Sequence, residues 1–513
     1  MTAHLGNGWE RGSFPSCALL LLGALVALVS PTLANGAENQ PAPGPRPGEV
    51  YREYSTHNGG NLAWRVTSPA ARDPRARKFL PNPVLHVNID SLEAAVRAEA
   101  LLDRWGGHLG TIQPRLRFNG KAWLDVPSPR LIAEEPLPPE HYVQDNPIIP
   151  VPLEHLRAGD NTFEGTCSHE REGEWGQWGL YSLILRVYYD PEKVEHPTGR
   201  IISPVDGGVV GEDPTICLTA AAPAGFARID LLAWYEGFDE NGDGRRLDWH
   251  GGVFQPVRGL AAELDGHVGT VRRLPYDVSW DTRWVPDQQP GAVKLIARVQ
   301  DVRGVWFVTQ PVMGLTLERR GESVRLYRAT ELPARFGVRN HQTKSCRIPV
   351  GAEVDPGNVV EAGLHYRTWN GTDLLHHPFR FNQLALPNEG KNHHYDYDIH
   401  LLPVAALWNG DNTFTISSDT EHHMLEVLWP GPAVTVRYRT VSRAGELAPL
   451  GLDRWTYVLA DDKREPTSKN NRGSFGISFG DLDGDGDIDL VSGRYFYRNP
   501  GADMTKEPWP RMT

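Results

Sequence analysis

Cysteine is scarce, with four residues in a chain of 513, and that excludes a disulfide scaffold. Positive charge is not in excess either. Lys and Arg number 52 against 64 Asp and Glu, for a formal net charge of −12. With no basic tract in the chain, nucleic acid is excluded as the expected partner. Helical periodicity is rare, and no apolar run reaches the ~20 residues that cross a bilayer. What is abundant is turn chemistry, 52 glycines and 42 prolines without a fixed period. The lack of period excludes collagen, and the composition fits many short strands joined by turns. Hydrophobic residues at 40% and charged residues at 23% are ordinary for globular protein, and the length predicts three or four domains.

Residues 18–29, ALLLLGALVALV, form an unbroken apolar run of signal-peptide size. Thr32-Leu33-Ala34 then places small residues at −3 and −1 of a cleavage site. The sequence therefore predicts a signal peptide over 1–34 and a destination outside the cell, at its surface or in the periplasm. Cys17 precedes the apolar run, so lipid anchoring is not indicated. Cys167, Cys217 and Cys346 remain in the mature chain, enough for one disulfide at most, and spacing does not choose the pair. Residues 35–50 read as a proline-rich, extended and exposed spacer.

Beyond the spacer the pattern is short-period, as in Val84-Leu85-His86-Val87-Asn88-Ile89. The stretch 91–103, SLEAAVRAEALLD, is the best helical candidate, although its second half fits a strand equally. An internal repeat is the most informative feature. Trp105-Gly106-Gly107, Arg117-Phe118-Asn119, Leu156 and Gly159-Asp160-Asn161-Thr162-Phe163 recur in order. Their counterparts are Trp369-Asn370-Gly371, Arg380-Phe381-Asn382, Leu407 and Gly410-Asp411-Asn412-Thr413-Phe414. This predicts two copies of one β-sandwich, over 51–195 and 321–445. Gly and Asn tolerate positive φ and Asp closes an Asx-turn, so the repeated string reads as a tight turn rather than a ligand site at Asp160 or Asp411. The string Leu-x-x-Gly-Asp-Asn-Thr-Phe also resembles a turn of galactose-binding-like jelly rolls, modules that accompany glycoside hydrolases and lyases.

The segment 196–320 differs. It carries Trp280-Asp281-Thr282 and then Leu295-Ile296-Ala297-Arg298-Val299-Gln300-Asp301. In this it resembles bacterial Ig-like domains, which implies a sandwich of about seven short strands.

Near the C-terminus stands Phe479-Gly480-Asp481-Leu482-Asp483-Gly484-Asp485-Gly486-Asp487-Ile488-Asp489-Leu490-Val491. Alternate residues of a tight loop can aim carboxylates at one point, the oxygen-rich shell that calcium takes. The EF-hand position 12 is Ser492, and strands rather than helices flank the loop. With Tyr495-Phe496-Tyr497-Arg498-Asn499-Pro500-Gly501, the segment resembles an FG-GAP (VCBS) repeat, the blade of integrin-α-like propellers. The resemblance implies structural calcium at Asp481, Asp483, Asp485, Asp487 and Asp489, and a blade begun within 446–513. One blade cannot bury its faces alone, so the chain is expected to be a fragment of a longer protein.

Weaker signals remain. Asp239-Glu240-Asn241-Gly242-Asp243-Gly244 reads mainly as a hairpin turn, with metal binding as the lesser alternative. His376, His377, His393, His394, His400, His422 and His423 fall in polar stretches and read as solvated rather than as a ligand set. Gly476-Ile477-Ser478-Phe479-Gly480 imitates a nucleophile elbow, but no histidine follows it. Trp175 and Trp178, beside glycines, are candidate sugar platforms, with plugging of the sandwich end as the plainer role. The expected fold is all-β, tandem jelly-roll-like and Ig-like sandwiches followed by a partial propeller blade. The expected function is a secreted, calcium-binding, non-catalytic adhesion or glycan- or protein-binding module. The alternative is the accessory, substrate-binding part of a secreted polysaccharide lyase or glycoside hydrolase.

Overall fold

The computed structural model describes residues 44–57, 64–127, 141–170, 175–251, 266–370, 379–386, 394–421, 424–440, 460, 477–485, 487–492, 495–501, 506 and 508–512. The expected signal segment lies outside these residues. So do Glu134, Glu135, Gly486, His376, His377, His393, His422 and His423. The fold is nearly all β. Among the described residues no helix is long and apolar enough to cross a membrane.

Three sandwich cores are present. In the first, strands Val50–His57, Ala95–Trp105 and Gln177–Tyr189 pack over a four-stranded sheet. That sheet contains Leu85–Ile89, Gly159–His169, Thr111–Phe118 and Leu124–Asp125, and Leu102, Phe118, Phe163, Trp178 and Leu185 fill the space between the layers. The second repeated sandwich uses the same arrangement. Val359–Asn370 and Ala433–Arg439 lie over Gln342–Val350, Gly410–Ser418 and Arg380–Phe381, around Tyr366, Phe379 and Phe414.

The duplicated turn is copied atom for atom. Asn161 Nδ2 donates to the Gly159 carbonyl at 2.9 Å and to that of Arg157 at 2.7 Å. Asn412 donates to Gly410 at 3.0 Å and to Trp408 at 2.8 Å. Gly159 and Gly410 take φ of +87° and +93°, where a side chain would be strained. Asp160 and Asp411 lie outside this bonding, paired with His86 and Arg347 on the surface. Both open a strand, opposite Asn88 and Pro349 respectively.

The middle core is built on Trp280, Ile229, Leu295 and Val299. Thr282 of the Trp-Asp-Thr string exchanges hydrogen bonds with Asp213, its N–H donating to Asp213 Oδ1 at 3.0 Å. Asp301 accepts from the N–H groups of Arg303 and Val305, both at 2.9 Å, and so closes the final hairpin. This core has its own three-stranded sheet, Thr198–Ser203, Thr215–Ala221 and Asp277–Ser279. Its other sheet is shared: Val305–Val308 pairs with Val50–His57, with Tyr51 opposite Trp306, so one thirteen-stranded sheet serves two cores.

Two expectations need correction. Residues 95–105 are a strand, not part of a helix. Ala98, Ala100 and Leu102 face the sandwich core, while Glu99, Leu101 and Asp103 on the opposite face are buried too. Burial of both faces erases the alternation that marks a strand. The end of the spacer is also not free, since Gly44 is buried and its N–H donates to Glu99 Oε2 at 3.1 Å.

Strands Ile477–Gly480, Asp489–Ser492, Tyr495–Tyr497 and Arg511–Met512 form a separate antiparallel sheet in sequence order. The three described cysteines, Cys167, Cys217 and Cys346, are free thiols.

Candidate functional site

The acidic loop joins Ile477–Gly480 to Asp489–Ser492. It brings oxygens of Asp481, Asp483 and Asp485 within 4.8 Å of one another, all three residues exposed. Turn bonds place them: the Gly484 N–H donates to Asp481 Oδ1 at 2.7 Å, and the Asp487 N–H to Asp485 Oδ1 at 3.0 Å. Arg498 reaches across from beyond the next strand, bonding Asp483 at 2.5 Å and Asp485 at 3.1 Å. The Asp487 N–H and this guanidinium hold the Asp485 carboxyl below its ordinary range.

The five expected ligands do not all converge. Asp489 is fully buried, and its two oxygens accept from the N–H groups of Leu482 and Asn499 at 3.0 and 2.8 Å. Asp487 lies toward Gly501. The donor set that fits a hard cation is therefore Asp481, Asp483 and Asp485, with Asp489 fastening the loop behind them.

Trp178 is not a platform. It is 0% exposed, and its indole N–H donates to the Thr166 carbonyl at 3.1 Å. Trp175 is half-buried, its ring tilted against His108 at 4.5 Å and under Arg75 at 5.2 Å. The plainer structural role holds for Trp178.

Sequence reasoning missed a cluster of buried ionisable groups that lies where the three sandwiches meet. Arg104 grips Asp145 with two nitrogens, one at 2.7 Å, and donates to the Pro127 carbonyl at 2.7 Å. Arg367, fully buried on Val359–Asn370, donates to Gln144 O at 2.9 Å, Gln144 Oε1 at 2.6 Å and Trp429 O at 3.2 Å. Gly242 makes this possible, since a Cβ there would sit 2.2 Å from the Arg367 guanidinium. Gln144 Nε2 donates to Asp103, whose carboxyl burial pushes up to about 8.

The Tyr181 and Tyr395 hydroxyls meet at 3.1 Å with their rings edge to face. Glu426, 8% exposed, finds no hydrogen bond among the described residues, and burial pushes it to about 8. Tyr142 and Met424 crowd beside it over Gly337. Burial thus favours the protonated form of both Asp103 and Glu426.

The second acidic loop forms one wall of this junction. Asp239 accepts from the N–H groups of Asp243 at 3.1 Å and Gly244 at 2.8 Å, as a hairpin turn should. Burial, with Asp243 adjacent, raises Asp239 to about 7. Behind it, Glu240 pairs with His250 at 2.8 Å, and Tyr235 bonds His267 at 2.7 Å. Burial drops His267 to about 4 and His365, bonded to Tyr397 at 2.8 Å, to about 3. A visible trace existed in the sequence: Asp103 and Arg367 stand at matching distances, two residues ahead of Trp105 and Trp369.

No protein-family model matches the chain, and no curated protein matches it in sequence. Among solved structures it is similar to a β-porphyranase of glycoside hydrolase family 86 from the human gut bacterium Bacteroides plebeius. Identity there is 11% over 49% of this chain and 38% of that one, at a TM-score of 0.20. The fibronectin(III)-like modules of Clostridium thermocellum CbhA match at 8% identity, covering 44% of this chain and 98% of theirs, at 0.15. Carbohydrate-binding modules of the β-sandwich superfamily match at 12%, covering 47% and 96%, at 0.14. The chain spans well under half the length of the porphyranase, and similarity at this level does not identify its ligand.

Proposed function

We propose that the protein is a secreted, calcium-binding, non-catalytic binding protein that engages a glycan or protein partner outside the cell. What carries this reading is the convergence of Asp481, Asp483 and Asp485 within 4.8 Å on an exposed turn. Three carboxylates so close repel one another, and calcium relieves that repulsion while accepting irregular oxygen geometry. The four strands in sequence order around the loop are compatible with a propeller-like blade. Calcium acts there as a structural clamp.

Calcium titration of the full chain by calorimetry, beside an Asp481→Asn/Asp483→Asn variant, tests the site. Binding to the wild type and its loss in the variant are expected. So is protection of residues 475–500 from protease when calcium is added. Equal cleavage with and without calcium would sink the idea.

A second reading, the accessory part of a polysaccharide-active enzyme, draws on Glu426. A carboxyl whose pKa burial raises, with Tyr142 adjacent, is the kind of group general-acid chemistry uses. New reducing ends or unsaturated products from a polysaccharide panel, lost in Glu426→Gln, would favour it over the non-catalytic reading.

A further inference from the structure

The outward face of the first sandwich's four-stranded sheet carries side chains that packing does not use. In Thr111–Phe118 the alternate residues Leu116 and Phe118 fill the core, so Arg115 and Arg117 point away from it. Arg117 stands opposite Glu164 and bonds its Oε1 at 2.8 Å. The Arg117 guanidinium also lies 4.4 Å from the centre of the half-buried Trp123 ring. The indole is thus steadied by a cation that is itself fixed. Arg115 lies 5.9 Å from the same ring.

Arg115 stands opposite the exposed Asp125 across the ladder, a placement in which opposite charges ordinarily attract. Here they do not pair. Apart from the ring contact of Arg115, neither side chain has a hydrogen bond or an ion pair among the described residues, and the Arg115 Nε is buried without an acceptor. A buried donor left unmatched calls for a reason.

Trp123 belongs to the first copy alone. There the chain runs from Asn119 to Leu124 through Gly120, Lys121, Ala122 and Trp123, whereas Gln383 alone separates Asn382 from Leu384. The extra residues do not fill a core. Lys121 and Ala122 are exposed, and a Cβ on Gly120 would meet nothing within 4 Å. In the second copy Arg380, the counterpart of Arg117, is exposed and faces Thr415 instead of an acid.

We propose that Trp123, Arg115 and Asp125 form a binding site for an uncharged glycan. The indole takes the apolar face of a sugar ring, Arg115 donates to one hydroxyl, and Asp125 accepts from the next. One free guanidinium beside one free carboxylate carries no net charge, so the pair matches a ligand that both donates and accepts and is itself uncharged. Neighbouring sugar hydroxyls have that character. A peptide would need apolar pockets for its anchoring side chains, and the adjoining outward residues Glu164, Thr162 and His86 are polar. The inference rests on the glycan-binding reading above, and it names the sugar class and the side chains that take it.

The test is calorimetric titration of the full chain, with calcium present, with a soluble β-glucan, a galactan and a galactomannan, all uncharged, and with polygalacturonate. At least one uncharged polymer binds. Trp123→Ala weakens that binding by about 10-fold or more. Arg115→Gln and Asp125→Asn each weaken it by about 5-fold at an unchanged melting temperature. If Trp123→Ala melts early, Asp125→Asn carries the test, since its position is exposed. An uncharged polymer bound equally by the wild type and all three variants overturns this site and leaves the glycan reading standing. Tighter binding of polygalacturonate than of every uncharged polymer overturns the proposed sugar class. No binding of any of the four overturns both the site and the glycan reading, and leaves a protein partner in its place.

Discussion

Asp103 and Arg367 occupy the same position of the duplicated strand, two residues ahead of Trp105 and Trp369, and Gln144 joins them. Its amide nitrogen donates to the Asp103 carboxyl, and its carbonyl oxygen accepts from Arg367 at 2.6 Å. Equivalent positions of the two copies thus carry an acid on one strand and a base on the other. The neutral amide between them bonds to both without a direct ion pair between the two, and a buried pair costs several kcal/mol per ion in desolvation. The two sandwiches are therefore joined by a polar contact with one geometry.

Gln144→Ala removes an acceptor from a fully buried guanidinium and the donor to Asp103. A loss of about 3 kcal/mol is expected, read as an earlier calorimetric transition. Gln144→Glu should be tolerated better at pH 5 than at pH 8, because Asp103, pushed up to about 8, can donate its proton to the new carboxylate at the lower pH and begins to lose it at the higher. An unchanged endotherm for Gln144→Ala would show that the contact contributes little.

Glu426 sets a pH dependence with a definite sign. Its folded pKa, about 8, lies above the ordinary 4.5 because burial disfavours the charge. The folded state therefore holds the proton more tightly, and stability from this group is complete below about pH 4.5 and declines as pH rises toward 8. Asp103, also pushed to about 8, acts in the same direction. Glu426→Gln is nearly isosteric with the protonated acid. It should leave the melting temperature at pH 5 almost unchanged and raise it by roughly 3–5 °C at pH 8.5. A drop at pH 8.5 would mean the carboxylate has a partner there.

Asn119 and Asn382 test the repeat directly. Each donates to the neighbouring turn asparagine at 2.8 Å and accepts the N–H of Thr162 or Thr413, at 3.0 and 2.8 Å. Each also sits at positive φ, +48° and +52°, which asparagine tolerates better than alanine. Asn119→Ala and Asn382→Ala should each cost about 2–3 kcal/mol, shown by urea unfolding. A large effect for one and none for the other would break the equivalence of the copies.

These asparagines were legible in the sequence because a turn is local: Gly159, Asn161 and Thr162 lie within four positions and repeat intact. The all-β class was legible for the same reason. For Trp178 the plainer reading holds: the ring is buried in the sandwich, and Gly165 on the facing sheet leaves room for it, since a Cβ there would come within 3.3 Å of the indole. The junction was illegible because Asp103, Gln144, Asp239, Arg367 and Glu426 come from three sandwiches and meet only after each has folded. The 95–105 strand stays open between helix and strand in the sequence for a related reason, its outer face being buried as well as its inner one, so that no alternation marks it.

Arg498 gives the calcium proposal a second handle. Its guanidinium bonds Asp483 at 2.5 Å and Asp485 at 3.1 Å, two of the three converging carboxylates. A cation there opposes calcium in two ways, by occupying ligand oxygens and by repelling a divalent ion. Both act in the same direction, so Arg498→Gln should tighten calcium binding by roughly 3–10-fold. The gain should shrink in high salt, which screens exposed charges. Without calcium the same variant should be more open to protease around 475–500, since Asp483 and Asp485 then lack their guanidinium partner. Weaker calcium binding in Arg498→Gln would mean that Arg498 orders the loop rather than competing for it, and the loop would then need its arginine and its ion together.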